Sequence, residues 1–268
     1  RGMADRLREQ LSLLPGDVPP ARATQASPVR RQYLEFKQRY PDAILFFRLG
    51  DFFETFDDDA RLVASALDIT LTSRDLGRGD RVPMAGIPAH AAESYIARLI
   101  AQGYRIAICD QVGTVPERGL VRREVVRVIT PGTLVEPTLL AAEANNYLAA
   151  LWMQGRAAGL AYVDISTGQL AATAVSGDDA AEMLTAELAR LQPAEVLLPR
   201  GPEGEPPAAL RALLPEGTPV TPRPAEAFRP ETARRTVLAH FGVPSVEAPG
   251  LGEPQAAAVP ALGALLAY

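Results

Sequence analysis

Phe52 and Glu54 are the pair in this chain best placed to do chemistry, because alternate residues of an extended backbone project from the same face. Phe52 offers a flat apolar ring, and Glu54 accepts hydrogen bonds when ionised and donates one when protonated. They sit in Phe46 to Phe56, where an apolar run carrying one arginine ends at Gly50-Asp51, a turn signal, and Phe52, Phe53, Glu54 and Phe56 follow before the acids Asp57 to Asp59. Aromatics crowded against a carboxylate either close a core or present one ring to a partner. Core packing is the reading for Phe46, Phe47 and Phe56, and helix capping for Asp57 to Asp59.

Other residues carry weaker signals. Thr72, Ser73 and Arg74 end a strand before a loop, a reasonable place for phosphate contacts, to which Arg78 and Arg81 would add charge; a solvated loop explains them nearly as well. Asp164 closes an apolar strand, and a strand aspartate of this kind holds metal in two-metal nucleases. The partner carboxylates are hard to find, since Asp178, Asp179, Glu182 and Glu187 read as a solvated acidic helix. Cys109 is the lone cysteine and His90 and His240 the only histidines, so neither an internal disulfide nor a structural zinc site is expected. His90 reads as a polar helix start, and Arg122 with Arg123 as charge guarding an exposed strand edge. The only lysine, Lys37, follows Phe36 rather than a glycine-rich loop, so the chain holds no P-loop for a nucleotide.

The 268 residues, 47% hydrophobic, suffice for two ordinary domains. No apolar run approaches the ~18 residues that span a bilayer, and no signal pattern opens the chain, which leads to an expectation of a cytoplasmic protein. The net charge of -5 is unevenly spread: residues 29 to 135 hold 15 basic and 14 acidic side chains, whereas residues 136 to 268 hold 8 and 15. Acidity in the second half leaves the first half open to an anionic partner.

The elements that must position these side chains follow from periodicity and breakers. Residues 1 to 28, rich in proline, read as a flexible arm. Ser27-Pro28 opens a helix through Tyr40, and Ala43 to Leu49 reads as a buried strand, Asp57 to Leu67 as a helix and Ile69 to Thr72 as a strand. Pro83 to Pro88 looks too proline-rich for a central strand and is expected as a rigid loop entering a helix from Ala91 to Gln102. Tyr104 to Gln111 and Arg123 to Ile129 complete a mixed-sheet α/β domain over 29 to 135. A second α/β domain, 136 to 254, follows: strands at Leu148 to Met153, Leu160 to Ile165 and Gln169 to Val175, a helix ending at Leu191 and a buried strand at Ala194 to Leu198. Pro224 to Phe241 holds helices. Residues 255 to 268 read as the truncated start of a further helical domain, the sign of a fragment.

Four motifs occur in order: Gly50-Asp51-Phe52-Phe53-Glu54, Pro83-Met84-Ala85-Gly86-Ile87-Pro88, Ala107-Ile108-Cys109-Asp110-Gln111 and Thr130-Pro131-Gly132-Thr133. With Asn146-Tyr147-Leu148-Ala149 and Asp164-Ile165-Ser166-Thr167-Gly168, the chain resembles the N-terminal part of the MutS DNA mismatch-repair proteins over about residues 29 to 200. The resemblance implies a mismatch-recognition domain followed by an RNase H-like connector, with the family's core, clamp and ATPase domains absent. This chain would then be no enzyme, and ATP and magnesium would be cofactors of the full-length protein alone.

The resemblance further implies that Phe52 stacks beside a mispaired base from the minor groove while Glu54 hydrogen-bonds that base. Met84 and Pro88 would lie near the groove, with core packing an equal reading for Met84, and Phe53 is a further possible DNA contact. Phe53 stands where the family commonly has tyrosine, which removes one polar contact and leaves the wedge intact. A base-donating Glu54 would have to be protonated, as the field of DNA would favour. The expected partners are double-stranded DNA with mispaired or unpaired bases and, through the connector, a MutL-type repair protein. The fragment is expected as a monomer of a dimeric bacterial protein, nucleoid-associated when on DNA. A metal-dependent RNase H-like nuclease using Asp164 and a protein-interaction module are the competing readings.

Overall fold

The computed structural model describes residues 27–76, 81–112, 121–134 and 145–268. The arm expected at 1 to 28 and Arg78 therefore lie outside the described residues, Ser27 and Pro28 excepted. Helix α1 (Pro28–Arg39) begins where Ser27 accepts a hydrogen bond from the Arg30 amide and proline occupies the first turn. A six-stranded sheet follows from β1 (Ile44–Leu49), β2 (Phe52–Phe56), β3 (Thr72–Asp75), β4 (Arg81–Pro88), β5 (Ile106–Gln111) and β6 (Arg123–Ile129), in the order β3-β4-β2-β1-β5-β6. Only β1 and β5 run parallel, and every other pairing is antiparallel.

Alternation along β1 builds two cores. Ile44 and Phe46 face α2 (Asp57–Leu67) and α3 (Ala92–Ala101), where Val63, Leu67, Ile96 and Leu99 meet them. Leu45 and Phe47 face α1, against Tyr33, Phe36 and Phe56. Phe46, Phe47 and Phe56 are wholly buried, as the sequence indicates. The acids Asp57 to Asp59 do more than cap α2. Asp59 is buried and accepts hydrogen bonds from the Tyr33 hydroxyl (3.1 Å), the Lys37 ammonium (2.8 Å) and the Leu45 amide (3.1 Å), tying α1, β1 and α2 together. Burial, then the charge of Asp59, hold the Tyr33 phenol well above its ordinary pKa. Lys37 also donates to the Ala43 carbonyl (2.7 Å), so the chain's single lysine is a structural tie.

Two sequence expectations are corrected. The third strand covers Thr72–Asp75 rather than Ile69 to Thr72, and Pro83 to Pro88 belongs to a strand rather than a loop. The register explains how β4 tolerates its prolines. β2 pairs with residues 84 to 88 and β3 with residues 81 to 84, so only Met84 is flanked on both sides, and Pro83 and Pro88 each have an open edge where a missing N–H is harmless. Arg123 is a third correction: it is buried, donates to the Arg48 and Val121 carbonyls (3.1 Å each) and lies over the Phe47 ring at 5.1 Å.

The second sheet contains β7 (Tyr147–Gln154), β8 (Ala157–Asp164), β9 (Gln169–Ser176), β10 (Glu195–Pro199) and β11 (Val220–Arg223), in the order β11-β10-β7-β8-β9. β7, β8 and β9 are antiparallel, and β10 and β11 continue parallel to β7, the mixed sheet expected of an RNase H-like connector. Helix α4 (Ala180–Leu191) and the short α5 (Ala208–Arg211) cover one face, and α6 (Pro230–Phe241) and α7 (Val259–Leu266) the other. Residues 255 to 268 thus pack into this core, with Ala261 and Leu262 against the sheet. A Cβ on Gly159 would meet the Ala257 carbonyl oxygen at 2.1 Å, so the bare backbone of β8 is what lets this segment approach.

The domains meet at Glu195, a fully buried carboxylate. It accepts from the Gly132 amide (3.0 Å) of the first domain, the Thr221 hydroxyl (2.5 Å) of β11 and the Tyr268 hydroxyl (2.9 Å). Asn146 reinforces the junction by donating to the Leu134 carbonyl at 3.1 Å. Among the described residues no helix is long and apolar enough to cross a membrane.

Candidate nucleic-acid interface

The site begins at a two-residue hairpin. Leu49 pairs with Phe52, and Gly50 takes φ +63°, a left-handed conformation that glycine adopts without steric penalty. The Arg48 guanidinium donates to the Gly50 carbonyl at 2.5 Å and fixes the turn. Phe52 emerges directly after it with 47% of its surface exposed, whereas the other phenylalanines of the stretch, Phe46, Phe47, Phe53 and Phe56, are at most 8% exposed. The turn therefore releases one ring from a core that claims all its neighbours.

Register decides which candidates join it. Glu54 pairs with Phe47 on one side and Gly86 on the other, Phe52 with Pro88, Met84 with Thr72, and Arg74 with Val82. Because paired residues share a face, Phe52, Glu54, Thr72, Arg74, Met84 and Pro88 all project from the side of the sheet that carries α1. Phe53, Ser73 and Arg81 project from the opposite side. Phe53, a possible DNA contact by sequence, instead faces away from Phe52 and is buried in the core beneath α2 and α3, with the Arg48 guanidinium over its ring at 5.2 Å.

Glu54 is buried, and its carboxylate is ion-paired to Arg74, whose own side chain is 43% exposed. Gly86 lies opposite, where an added Cβ would come 3.6 Å from the Glu54 side chain, so the floor around this carboxylate is bare backbone. The result is an exposed ring beside a recessed carboxylate, with a guanidinium reaching across from β3. Sequence reasoning placed Arg74 among phosphate-contact candidates but had no signal that it would bind Glu54, because the pairing depends on β4 lying between their strands. It also missed Asp59, whose burial is set by α1 packing over the strand.

The other candidates take structural roles. Asp164 is buried, and its carboxylate accepts from the Ser166 hydroxyl (2.6 Å), the Ser166 amide (2.9 Å) and the Asn146 amide (3.4 Å). Burial alone would raise its pKa, but these bonds, with one from the Thr167 hydroxyl, hold it below the ordinary carboxylate value. It organises the Ser166-Thr167-Gly168 turn. No group of three metal-ligating side chains forms among the described residues, and nothing in the geometry supports the nuclease reading. Lys37, spent on Ala43 and Asp59, supplies no nucleotide-binding loop. His90 is exposed at the turn before α3.

Comparison with known proteins agrees with this architecture. The family model for MutS domain I matches residues 27–138, and that for MutS domain II matches residues 146–268. The chain is 49% identical over 251 residues to the DNA mismatch repair protein MutS of Symbiobacterium thermophilum, covering 93% of this chain and 28% of that protein. It is 44% identical over 243 residues to the MutS of Dehalococcoides mccartyi, 90% of this chain and 27% of that one. With the MutS of Pelotomaculum thermopropionicum it shares 58% identity over 170 residues, 63% of this chain and 20% of the relative. The matched region thus spans between 20% and 28% of the length of these relatives. Two matched domain models, laid over two sheets whose boundary falls between them, establish that the chain belongs to the MutS family and carries its domains I and II.

Proposed function

We propose that the first domain of this chain recognises mispaired or unpaired bases in double-stranded DNA, with Phe52 as the wedge and Glu54 as the group that hydrogen-bonds the displaced base. The observation that carries the reading is the selective exposure of Phe52 at a braced turn, beside a carboxylate on the same sheet face. An apolar side chain inserted from the minor groove must unstack a base step, which costs a few kcal/mol and is offset by the contacts a kinked duplex allows. A mispaired step opens more cheaply than a matched one, so one ring senses many mispairs. Pro88 lies directly beside the wedge, Met84 and Thr72 continue the same face toward the far end of β2, and the exposed Ser73, Arg74 and Arg81 on or beside the edge strand β3 are available to phosphates.

In the structure Glu54 is held by Arg74, so engaging a base requires that pair to open or to swing as a unit. Phosphate oxygens are the natural acceptors for the released guanidinium. Replacement of Glu54 by Gln, which both donates and accepts, preserves mismatch binding in this reading, and Glu54→Ala loses it. The acidic second domain is read as a connector that scaffolds the first and docks a MutL-type partner. ATP-driven and dimeric behaviour are assigned to the full-length protein, since this chain has no P-loop residues to hold a nucleotide in that way.

The test is a fluorescence-anisotropy titration of matched and mismatched duplexes at low salt with wild type and Phe52→Ala. Wild type is expected to favour the mismatched duplex weakly and Phe52→Ala to lose that preference. Equal binding of both duplexes by both proteins, insensitive to salt, refutes the assignment.

A further inference from the structure

At the opposite end of β1 from the Phe52 turn, the two domains border a solvent-open cleft of about 450 Å³. Four arginines line it: Arg39 at the end of α1 and Arg105 before β5 from the first domain, Arg200 after β10 and Arg223 of β11 from the second. Asp42 is the one carboxylate in the lining. Glu195 lies behind Tyr268, its oxygens already taken by Thr221, Tyr268 and Gly132. Among the described residues none of the four arginines has an acidic partner, although eight ion pairs form elsewhere.

Arg39, over the Phe36 and Tyr40 rings at 5.9 Å each, and Arg200 are exposed to solvent, whereas the guanidinium groups of Arg105 and Arg223 are only partly satisfied. Arg105 reaches the Tyr268 hydroxyl at 3.4 Å, and Arg223 reaches the Ala267 carbonyl at 3.4 Å while lying over the Tyr268 ring at 5.0 Å. The Nε atoms of both are buried without a hydrogen-bond partner. Like charges gathered from two domains repel, and buried guanidinium donors without acceptors are unfavourable, so the arrangement gains from an anion rich in oxygen acceptors. The forked guanidinium matches phosphate oxygens in particular. A cleft of this volume lies within the ~300–1,000 Å³ typical of small-ligand sites and exceeds what a single orthophosphate fills.

We infer that this cleft binds a small soluble diphosphate or triphosphate compound, whose phosphates bridge arginines of both domains. The site is separate from the mismatch-facing surface and independent of the function proposed for it. A bound diphosphate neutralises the repulsion across the junction and locks the relative orientation of the domains that Glu195 begins to set.

The test uses inorganic pyrophosphate in magnesium-free, low-salt buffer, titrated calorimetrically into the whole chain. Saturable one-to-one binding is expected, weakened at least tenfold in the double variant Arg39→Gln/Arg200→Gln, whose altered side chains are exposed and leave folding intact. Arg105→Gln/Arg223→Gln should weaken it as much, and Phe52→Ala should leave it unchanged. Absence of saturation at low-millimolar pyrophosphate, or saturation that the Arg39/Arg200 variant does not alter, overturns the proposal. Displacement of pyrophosphate by a short matched duplex overturns the assignment to a free small ligand and points to backbone phosphates instead. Displacement by ADP but not by duplex supports it.

Discussion

Arg74 and Glu54 are unequal partners, and the inequality predicts which substitution is the more damaging. The Glu54 side chain is 11% exposed and that of Arg74 43%. Truncating Arg74 to Gln strands a carboxylate in a largely desolvated site. Loss of one partner costs about 3–5 kcal/mol for a fully buried pair and about 0–1 kcal/mol for a surface pair. Because Arg74 is half in solvent, water reaches the abandoned carboxylate from one side, and the expected loss is about 1–2 kcal/mol, toward the lower bound. Glu54→Gln instead frees an arginine that can turn into water and leaves a neutral amide, for an expected loss under about 1 kcal/mol. The double variant should be less damaged than the sum of the two, since the pair is lost once. Urea unfolding followed by far-ultraviolet circular dichroism measures all three. Trp152, the only tryptophan, sits on β7, so a transition that shifts in dichroism but not in tryptophan fluorescence belongs to the first domain. With a slope of about 2 kcal/mol per molar urea, Arg74→Gln should lower the midpoint of that transition by about 0.5–1 M. A midpoint lowered as far or further by Glu54→Gln, or strict additivity in the double variant, refutes the argument that Glu54 is the partner that depends on the bond.

Further expectations rest on other sites. Asp164 has a folded pKa below its unfolded value, so its contribution is complete above about pH 4 and disappears as pH falls through the folded pKa; Asp164→Asn should flatten the acid limb of a stability-versus-pH curve, and an unchanged limb counts against it. Burial pushes the Cys109 thiol up to about 12, only partly opposed by Arg123 and with Asp110 adding to the rise. Iodoacetamide at pH 8 should therefore leave the native chain unlabelled and modify it once it is unfolded in guanidinium, whereas rapid native labelling contradicts the buried placement. Gly159→Ala should cost about 1–3 kcal/mol through overpacking against Ala257 and Ala258 and lower Tm by several degrees in a thermal scan. An unchanged Tm would show that residues 255 to 268 do not seat on β8.

The legible parts of this fold were those written in local pattern. Helix Asp57–Leu67 and strand Arg123–Ile129 occur with the boundaries their periodicity indicates, and Gly50-Asp51 turns as its residue types require. Four ordered motifs were enough to identify the family before any packing was known. What stayed hidden depends on neighbours far along the chain. The prolines of β4 argue against a strand until its register shows each beside an open edge. Arg123 looks like an edge guard by sequence, yet it inserts over Phe47, and Asp59 looks like a helix cap yet bridges three elements. Phe52 and Phe53 are the same residue type side by side. Alternation predicts that they part to opposite faces, but only the placement of α1, α2 and α3 determines which ring is covered.

The stagger of β3, β4 and β2 has a dynamic consequence. β3 and β2 overlap along β4 at Met84 alone, so the sheet at this end is joined like two offset planks rather than a continuous ply. Releasing β3 breaks its own short ladder and leaves the Gly50 hairpin paired, while the buried Leu76 that follows β3, whose carbonyl accepts from the Ser27 amide at 2.8 Å, anchors the strand's far end. Local opening of this kind lies far below global unfolding in free energy. Arg74 is thus carried on an outer ply joined to β2 only through β4, and the turn that presents the Phe52 ring belongs to a separate ladder.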